Sequence, residues 1–345
     1  MINVGVIGYG YWGPNLVRNF AETDGTRLAA VCDARAERLA LVEKRYPGTK
    51  TFRSWQEMVQ DPSIDLVAVS TPVSTHFEMG MAALQAGKHL LVEKPMAMNV
   101  DQCARMVDEA ERRKRVLMVD HTFVYTPAVR KMHDLVSDGS LGDIYYYDSV
   151  RINLGLFQHD VNVIWDLAVH DLAIMDFVLP ERPVAVSATG ISHVPGGNEN
   201  IGYLTMFFNS TMIAHVHVNW LAPVKVRSTL LGGSRKMVVY DDLEPSEKIK
   251  VYDRGITVNS DTSADKVYKL MVGYRSGDMW APRLDTSEAL GMEIRHLVDC
   301  IEHGTRPMTG GEAGMEVVRI LENGTRSMKQ QGRPIELAAA GKVTA

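Results

Sequence analysis

A strand, a glycine-containing loop and a helix follow one another at the start of the chain, and this order constrains the fold most. The apolar run 4–7 leads into a loop with glycine at Gly8, Gly10 and Gly13. Gly8 permits a tight turn, Gly10 lets the backbone approach a pyrophosphate, and Gly13 lets a helix pack against the strand. A second apolar run ends at Asp33, 20 positions after Gly13. The pattern predicts dinucleotide binding, and a glycine turn made only for packing is the alternative.

The acidic residue after the second strand indicates which dinucleotide binds. A pyrophosphate would lie at the N-terminus of the helix that opens near Pro14, where free N–H groups attract anions. Asp33 would accept hydrogen bonds from the adenine-ribose hydroxyls and would repel the 2′-phosphate of NADP. Arg35 and Arg38 weaken this preference, because either side chain could reach a phosphate. NAD is therefore the predicted cofactor.

Strands and helices alternate through the first 120 residues. This alternation predicts a parallel sheet covered on both faces, a Rossmann domain over residues 1–122. The predicted strands are 28–32, 65–70, 88–92 and 115–119, and the predicted helices are 35–45, 75–86 and 100–114. Ser70, Thr71 and Pro72 end the third main strand and leave room for a cofactor ribose, and His76 follows them. Ser74 or Thr75 is also expected to cap the helix, since one loop can serve both purposes.

Lys94 closes the next apolar run, in the order Val92-Glu93-Lys94-Pro95. Lysine is rarely buried without a partner, and strand ends of open α/β sheets are where ligands bind. The position therefore indicates an ammonium group available for chemistry. The proline also makes the Lys94–Pro95 bond a candidate for the cis form.

The pattern changes after residue 122, and residues 123–345 are predicted to form one second domain. A helix at 127–138 and a strand at 144–152 precede strand-like runs at 184–188, 202–208, 212–220, 228–232 and 236–240. Such runs predict an α+β domain of mainly antiparallel strands with a few helices. Residues 251–283 are predicted to be loops with one or two short strands, 286–303 and 314–329 are predicted helices, and the tail after Leu337 is predicted to fray.

Asp166 and His170 lie four residues apart in a helix predicted to run from Asp160 to Leu179. This spacing places them on one face, where a carboxylate raises the basicity of an imidazole and fixes its tautomer. Spacing alone favours the plainer interpretation, in which Asp166 caps the helix and His170 is an ordinary histidine. His121, His159 and His170 have no fixed ligand spacing, so no metal is predicted.

Composition excludes several classes of partner and compartment. The net charge of −5 gives no reason to expect a nucleic-acid partner. No apolar run approaches the roughly 20 residues that span a bilayer, and the chain opens directly into a strand rather than a signal peptide. The three cysteines are isolated, which is typical of reduced thiols in the cytoplasm. A cytoplasmic protein without a membrane partner is expected.

Several of these segments together resemble one enzyme family. They are 6–13, 70–72 with His76, 86–88 followed by 92–95, 139–144 and 166–171. In this order they resemble the Gfo/Idh/MocA oxidoreductases, such as glucose–fructose oxidoreductase and inositol dehydrogenase. The resemblance implies hydride transfer between nicotinamide and a carbinol carbon of a sugar or cyclitol. It also implies that the C-terminal α+β domain is built on a large open, mainly antiparallel sheet. A homodimer or homotetramer formed through this sheet is expected.

The resemblance implies a catalytic set of Lys94, Asp166 and His170. His170 would take the hydroxyl proton, Lys94 would stabilise the alkoxide, and Asp166 would orient His170. The expected cofactor site comprises Gly8, Gly10, Tyr11, Trp12, Gly13, Asp33, Arg38, Ser70, Thr71, Pro72, His76, Glu93 and Lys94. The expected substrate site comprises Lys94, Asn162, Trp165, Asp166 and His170.

Two departures from the family pattern bear on the substrate. Residues 162–165 replace a glycine-rich stretch, and 121–123 replace an Asn-Arg or Tyr-Arg pair. In having Trp165 preceded by Asn162, the chain resembles relatives that act at C3 of nucleotide-linked sugars. Inositol or a free monosaccharide is the alternative substrate, and a non-catalytic NAD sensor is the alternative from another class. Candidates for a diphosphate clamp are Arg151, Arg227, Arg275 and Arg283, and each is equally a surface charge.

Overall fold

The first half of the chain forms a six-stranded parallel sheet. The computed structural model describes residues 1–155, 160–258 and 272–337. The strands are β1 (Ile2–Ile7), β2 (Thr26–Cys32), β3 (Lys50–Phe52), β4 (Leu66–Val69), β5 (His89–Glu93) and β6 (Leu117–Asp120), in the order β3-β2-β1-β4-β5-β6. The helices are α1 (Gly13–Glu22), α2 (Ala36–Arg45), α3 (Trp55–Gln60), α4 (His76–Gln85) and α5 (Val100–Arg113). The predicted parallel Rossmann sheet is confirmed.

The strand ends of this sheet gather the predicted cofactor residues at one edge. Ile7 pairs with Val69, Val69 with Val92, and Glu93 with Asp120. All these pairings are parallel, so the carboxyl ends of β1, β4, β5 and β6 lie side by side. The turns that carry the glycine loop, Ser70 and Lys94 therefore all begin at the edge where open α/β sheets bind ligands.

A segment far along the chain returns to this first unit. The chain divides into one unit of Met1–Thr126 with Ser287–Glu322 and a second of Pro127–Thr286 with Asn323–Ala345. The expected division into 1–122 and 123–345 did not include this return. It involves α8 (Ala289–His303) and most of α9 (Gly311–Lys329). Leu290, Ile294 and Leu297 bury the apolar face of α8, which contacts α1 and the turn Thr122–Tyr125.

The second unit is built on a nine-stranded sheet. Its strands are β7 (Ile144–Leu154), β8 (Ala185–Ile191), β9 (Ile201–Phe207), β10 (Ile213–Asn219), β11 (Leu221–Gly233), β12 (Met237–Asp241), β13 (Ile249–Tyr252), β16 (Met279–Trp280) and β17 (Ile335–Glu336). β7 and β10 are parallel neighbours, and the other neighbouring strands of this sheet are antiparallel, so the expected mainly antiparallel sheet is confirmed. A separate pair joins β14 (Gly255–Val258) and β15 (Val272–Arg275). The helices are α6 (Pro127–Ser137) and α7 (Val169–Val178).

Some expectations fall outside the described ranges. They concern His159, the tail after Leu337 and residues 259–271 of the predicted loop region. Within 1–155, 160–258 and 272–337, no helix has both the length and the apolar character that a membrane span requires.

Candidate active site

The three glycines of the loop after β1 serve different purposes. Gly8 has φ +97°, and a Cβ there would lie 2.3 Å from the carbonyl oxygen of Ser70. A Cβ on Gly13 would lie 2.1 Å from the carbonyl oxygen of Gly8. The packing of the protein itself therefore requires glycine at both positions, 8 and 13. A Cβ on Gly10 would meet only the guanidinium of Arg35, at 3.8 Å. Gly10 keeps open a backbone surface that the described residues do not fill, as a ligand would require.

The N-terminus of α1 suits an anion. Trp12 at the N-cap makes no side-chain capping bond, and the first turn has no acidic residue, as far as the described residues show. Pro14 occupies the first turn, where its missing N–H is no loss. Tyr11 is 92% exposed on the same loop. The helix dipole and the N–H groups here are available to a pyrophosphate.

Asp33 lies at the end of β2 and is held in the ionised form. Its Oδ2 accepts a hydrogen bond from the Tyr9 N–H at 2.8 Å, and its Oδ1 accepts one from the Arg35 N–H at 2.9 Å. The Arg35 guanidinium also contacts both carboxylate oxygens. Burial acts to raise the pKa of Asp33, but the bonds from Arg35 and Tyr9 hold it below its usual value. The structure thus pairs Arg35 with Asp33, while the predicted phosphate contact of Arg38 stays a prediction.

The turn after β4 combines one unsatisfied group with a tightly held histidine. The Oγ of Ser70 is buried and has no hydrogen-bond partner among the described residues, so a ligand hydroxyl or amide could satisfy it. His76 is buried, and its ring nitrogens lie 2.8 Å from the carbonyl oxygens of Pro95 and Thr71. These contacts tie this turn, which includes Pro72, to the end of β5. Direct contact of His76 with the cofactor stays a prediction.

Lys94 follows β5 directly, in a half-buried position. The Lys94–Pro95 peptide bond is cis. The Lys94 N–H donates to Oε2 of Glu93 at 3.0 Å. Glu93 lies opposite Asp120 of β6, and Asp120 accepts a hydrogen bond at 2.8 Å from Nε1 of Trp12. Asp120 was not predicted as a site residue, although its position at the end of β6 was a usable signal.

In the second unit, Asp166 lies in a π-helical turn, Ile164–Ala168, that leads into α7. The predicted uninterrupted helix from residue 160 is therefore wrong at its start. Insertions of this kind occur often at functional sites. Nε1 of Trp220 donates to Oδ2 of Asp166 at 3.0 Å, and Trp220 is 1% exposed. Asp166 and His170 are both half-buried. Trp220 therefore fixes the carboxylate that was predicted to orient His170. Trp220 itself was not predicted, because it lies 54 residues from Asp166 in sequence.

The residue after His170 is part of a buried ion pair. Asp171 accepts hydrogen bonds from Nε of Arg151 at 2.7 Å and from Oγ of Ser149 at 2.6 Å. Its carbonyl oxygen accepts one from the Tyr147 hydroxyl at 3.0 Å. Arg151 is only 3% exposed, so its interpretation as a surface charge is wrong. These bonds attach the start of α7, and therefore His170, to β7.

Asn162 and Trp165 are largely buried at the entrance to this helix. The Asn162 side chain donates to Glu199 at 3.1 Å and accepts from the Trp165 N–H at 3.4 Å. The Trp165 indole donates to Thr325 at 2.9 Å. These partners shape the helix entrance, and substrate contact by either side chain stays a prediction.

The residues of the first unit fit NAD. The open backbone at Gly10 and the uncapped N-terminus of α1 would hold the pyrophosphate. Asp33 would hold the adenine ribose, and the free hydroxyl of Ser70 would meet a second polar group of the cofactor. Lys94 follows β5. This strand lies with β4 and β6 in the half of the sheet that binds the second mononucleotide of a dinucleotide.

Comparison with known proteins agrees with this geometry. Residues 2–121 match the model of the oxidoreductase family with an NAD-binding Rossmann fold, and residues 129–239 match the GFO/IDH/MocA C-terminal domain. The chain is 25% identical over 354 residues to a myo-inositol 2-dehydrogenase from Thermotoga maritima, covering 97% of this chain and 98% of that one.

Two further relatives extend the comparison. A UDP-N-acetylglucosamine 3-dehydrogenase from Acidithiobacillus ferrooxidans is 31% identical over 196 residues, covering 56% of this chain and 59% of that one. The solved structure of levoglucosan dehydrogenase in complex with NADH and levoglucosan has a TM-score of 0.83 and 19% identity, covering 98% of this chain and 100% of that one. The chain belongs to the GFO/IDH/MocA oxidoreductase family and is an NAD-dependent oxidoreductase.

Proposed function

We propose that the chain transfers a hydride between NAD and a carbinol carbon of a sugar, at C3 of a nucleotide-linked sugar. The observation that carries this proposal is the Asp166 carboxylate, which the buried Trp220 indole holds one helical turn before His170. A fixed carboxylate beside an imidazole is the arrangement of a general base and its orienting group. Lys94, Asp166 and His170 are the proposed catalytic residues.

Each proposed catalytic residue has one task. When bound, NAD supplies the hydride acceptor or donor. In the oxidation direction His170 takes the hydroxyl proton of the carbinol, whose C–H bond gives up a hydride as its C–O bond becomes a carbonyl. The Lys94 ammonium stabilises the negative charge that develops on this oxygen. Asp166 orients His170 and supports its protonated form. In the reduction direction His170 returns the proton.

The proposed substrate class rests on the relatives and on the arginines. One relative acts on UDP-N-acetylglucosamine and another on myo-inositol, as their names state. Arg227 is paired with Asp242, and Arg275 with Asp253. Arg283 is exposed and makes no ion pair with another described residue. With Arg151 buried, Arg283 is the arginine most accessible to a diphosphate.

A substrate screen tests this proposal. The purified chain with NAD would be offered UDP- and dTDP-sugars, inositols and free hexoses, and NADH formation would be followed by absorbance. We expect kcat/KM to be at least tenfold higher for one nucleotide sugar than for its free sugar, because the diphosphate adds binding contacts worth roughly 1.4 kcal/mol or more. Higher kcat/KM for inositols or free hexoses would favour the alternative substrates, and no turnover with any compound would favour an NAD sensor.

We also propose that the nine-stranded sheet pairs with the same sheet of a second copy. Along β9 and β10, alternate residues are buried, and the opposite face exposes Tyr203, Phe207 and Ile213. Ile213 and Phe207 are direct neighbours across the two strands. An exposed apolar patch on a sheet face is typical of a subunit interface, and a self-complementary patch gives a two-fold dimer.

Sedimentation and light scattering test this assembly. We expect the wild-type chain to have the mass of two or four copies. Ile213→Asp should shift it toward the monomer, because a buried charge opposes association. Leu41→Asp is the matched control, since Leu41 is 52% exposed on α2 of the first unit. A monomeric wild type would contradict the proposal.

A further inference from the structure

Three carboxyl groups meet beneath the strand ends of the first unit. Glu93 ends β5 and Asp120 ends β6, and the two are paired in register. Glu293 comes from α8 and is completely buried. The helix α8 packs against the turn Thr122–Tyr125 that follows β6, and burial together with the Asp120 carboxylate raises the pKa of both glutamates. Three mutually adjacent carboxyls cannot all be ionised away from water, so protons must be shared among them.

The three carboxyls differ in the hydrogen-bond donors around them. Asp120 accepts from Nε1 of Trp12 at 2.8 Å on one oxygen and from the Thr122 hydroxyl on the other. Neither oxygen of Glu293 has a hydrogen-bond partner among the described residues. Two ionised carboxylates cannot bond to each other, but a protonated Glu293 can donate to Asp120. In the described part of the chain, no group of three or more His, Cys, Asp or Glu could hold a metal ion instead.

We propose that Glu93, Asp120 and Glu293 form a proton-sharing triad in which Asp120 carries the negative charge and the two glutamates act as donors. Asp120 is then the common acceptor for the glycine loop through Trp12, for β5 through Glu93 and for α8 through Glu293. The triad is a positioning device, because it fixes the loop that binds NAD and the strand end that carries Lys94.

The surrounding charges are consistent with one negative charge in the triad. Burial, and then the Asp120 carboxylate, raise the pKa of both Glu93 and Glu293 well above the usual value. Burial lowers the pKa of His121 to about 4, so its ring is neutral at pH 7. Burial raises the pKa of the Tyr125 hydroxyl, which is also neutral. Lys94 faces the triad from the end of β5, and His121, Thr122 and Tyr125 face it from the turn after β6. From α8, the Cys300 thiol lies near Tyr125.

The first experiment compares Glu293→Gln with the wild type in unfolding measurements between pH 4 and pH 8. Glutamine has the shape of a protonated glutamate and keeps a donor for Asp120. A glutamate with a raised native pKa stabilises the fold below its unfolded pKa of about 4.3, and this stability is lost as pH rises toward the native pKa. The Glu293→Gln variant does not lose stability in this way, because glutamine does not ionise. We expect its unfolding constant to be close to that of wild type near pH 4 and on the order of a hundredfold lower at pH 7.

Glu302→Gln is the matched control, because Glu302 is an exposed glutamate on the same helix. Its unfolding constant should follow that of wild type within about twofold at every pH. A Glu293→Gln protein that does not fold, that is less stable than wild type at pH 7, or whose difference from wild type does not change with pH would overturn the triad. Each of these results would mean that Glu293 is ionised in the native state.

The second experiment measures NAD binding without turnover. Asp120→Asn removes the charge that holds Trp12, and we expect the dissociation constant for NAD to rise about tenfold. Glu293→Gln keeps the donor and should leave this constant within about twofold. Unchanged NAD affinity in Asp120→Asn would refute the positioning role. Because binding is measured directly, this result does not depend on which substrate the chain uses.

Discussion

Replacing Lys94 with alanine should lower kcat about a hundredfold or more, while the dissociation constant for NAD changes little. A loss of a hundredfold corresponds to ~2.7 kcal/mol of transition-state stabilisation, which is a moderate value for a charge aimed at a developing alkoxide. NAD affinity should persist because the glycine loop and Asp33 supply its main contacts. Steady-state kinetics with the best substrate of the screen, together with direct titration of NAD, would measure both quantities.

The control for this prediction is Lys44→Ala, an exposed lysine on α2 of the same unit. It should behave as wild type in both measurements. A Lys94→Ala protein with near-normal kcat would contradict the catalytic assignment. A protein that had lost NAD binding as well would instead give Lys94 a role in holding the cofactor.

The second large effect is expected at Asp171. Replacing it with asparagine leaves the Arg151 guanidinium buried without its counter-charge, and breaking a buried pair in this way costs about 3–5 kcal/mol. The free energy of unfolding should fall by this amount, and the thermal midpoint by on the order of 10 °C. Calorimetry or denaturant titration of the variant beside the wild type would measure the loss.

Two controls separate the buried pair from a general effect of the substitution. Asp134→Asn alters an exposed carboxylate of the same unit and should change the unfolding free energy by less than about 0.5 kcal/mol. The double change Arg151→Met with Asp171→Leu removes both charges and should recover most of the loss, because the desolvation of two ions is also removed. Equal stability of Asp171→Asn and Asp134→Asn would show that the pair does not stabilise the fold.

The parts of the site that could be predicted from sequence depend on local order. The turn at Gly8, the open backbone at Gly10 and the position of Asp33 follow from a strand, a loop and a helix within the first 33 residues. Lys94 was recognisable because a charge at the end of an apolar strand is unusual. In each case neighbouring residues determine the backbone, and the backbone places the group.

The parts that could not be predicted depend on contacts between distant residues. Trp220 lies 54 residues from Asp166, and nothing near Trp220 in sequence indicates that its indole would bind a carboxylate. From sequence alone, Glu293 is an ordinary polar residue of an amphipathic helix. Its burial becomes evident only from the packing of α8 against the turn after β6. Arg151 was indistinguishable from a surface charge, because its burial depends on Asp171 in another element.

The return of residues 287–322 to the first unit has a consequence for how the protein is made. A ribosome that has released residue 126 has produced every strand of the parallel sheet, but not α8. The nascent sheet therefore leaves the apolar surface beneath α8 uncovered and Asp120 without Glu293 while the whole second unit is synthesised. We expect the NAD-binding unit to reach its native stability only after residue 322 has emerged, so that a half-made chain cannot capture the cofactor in its final form.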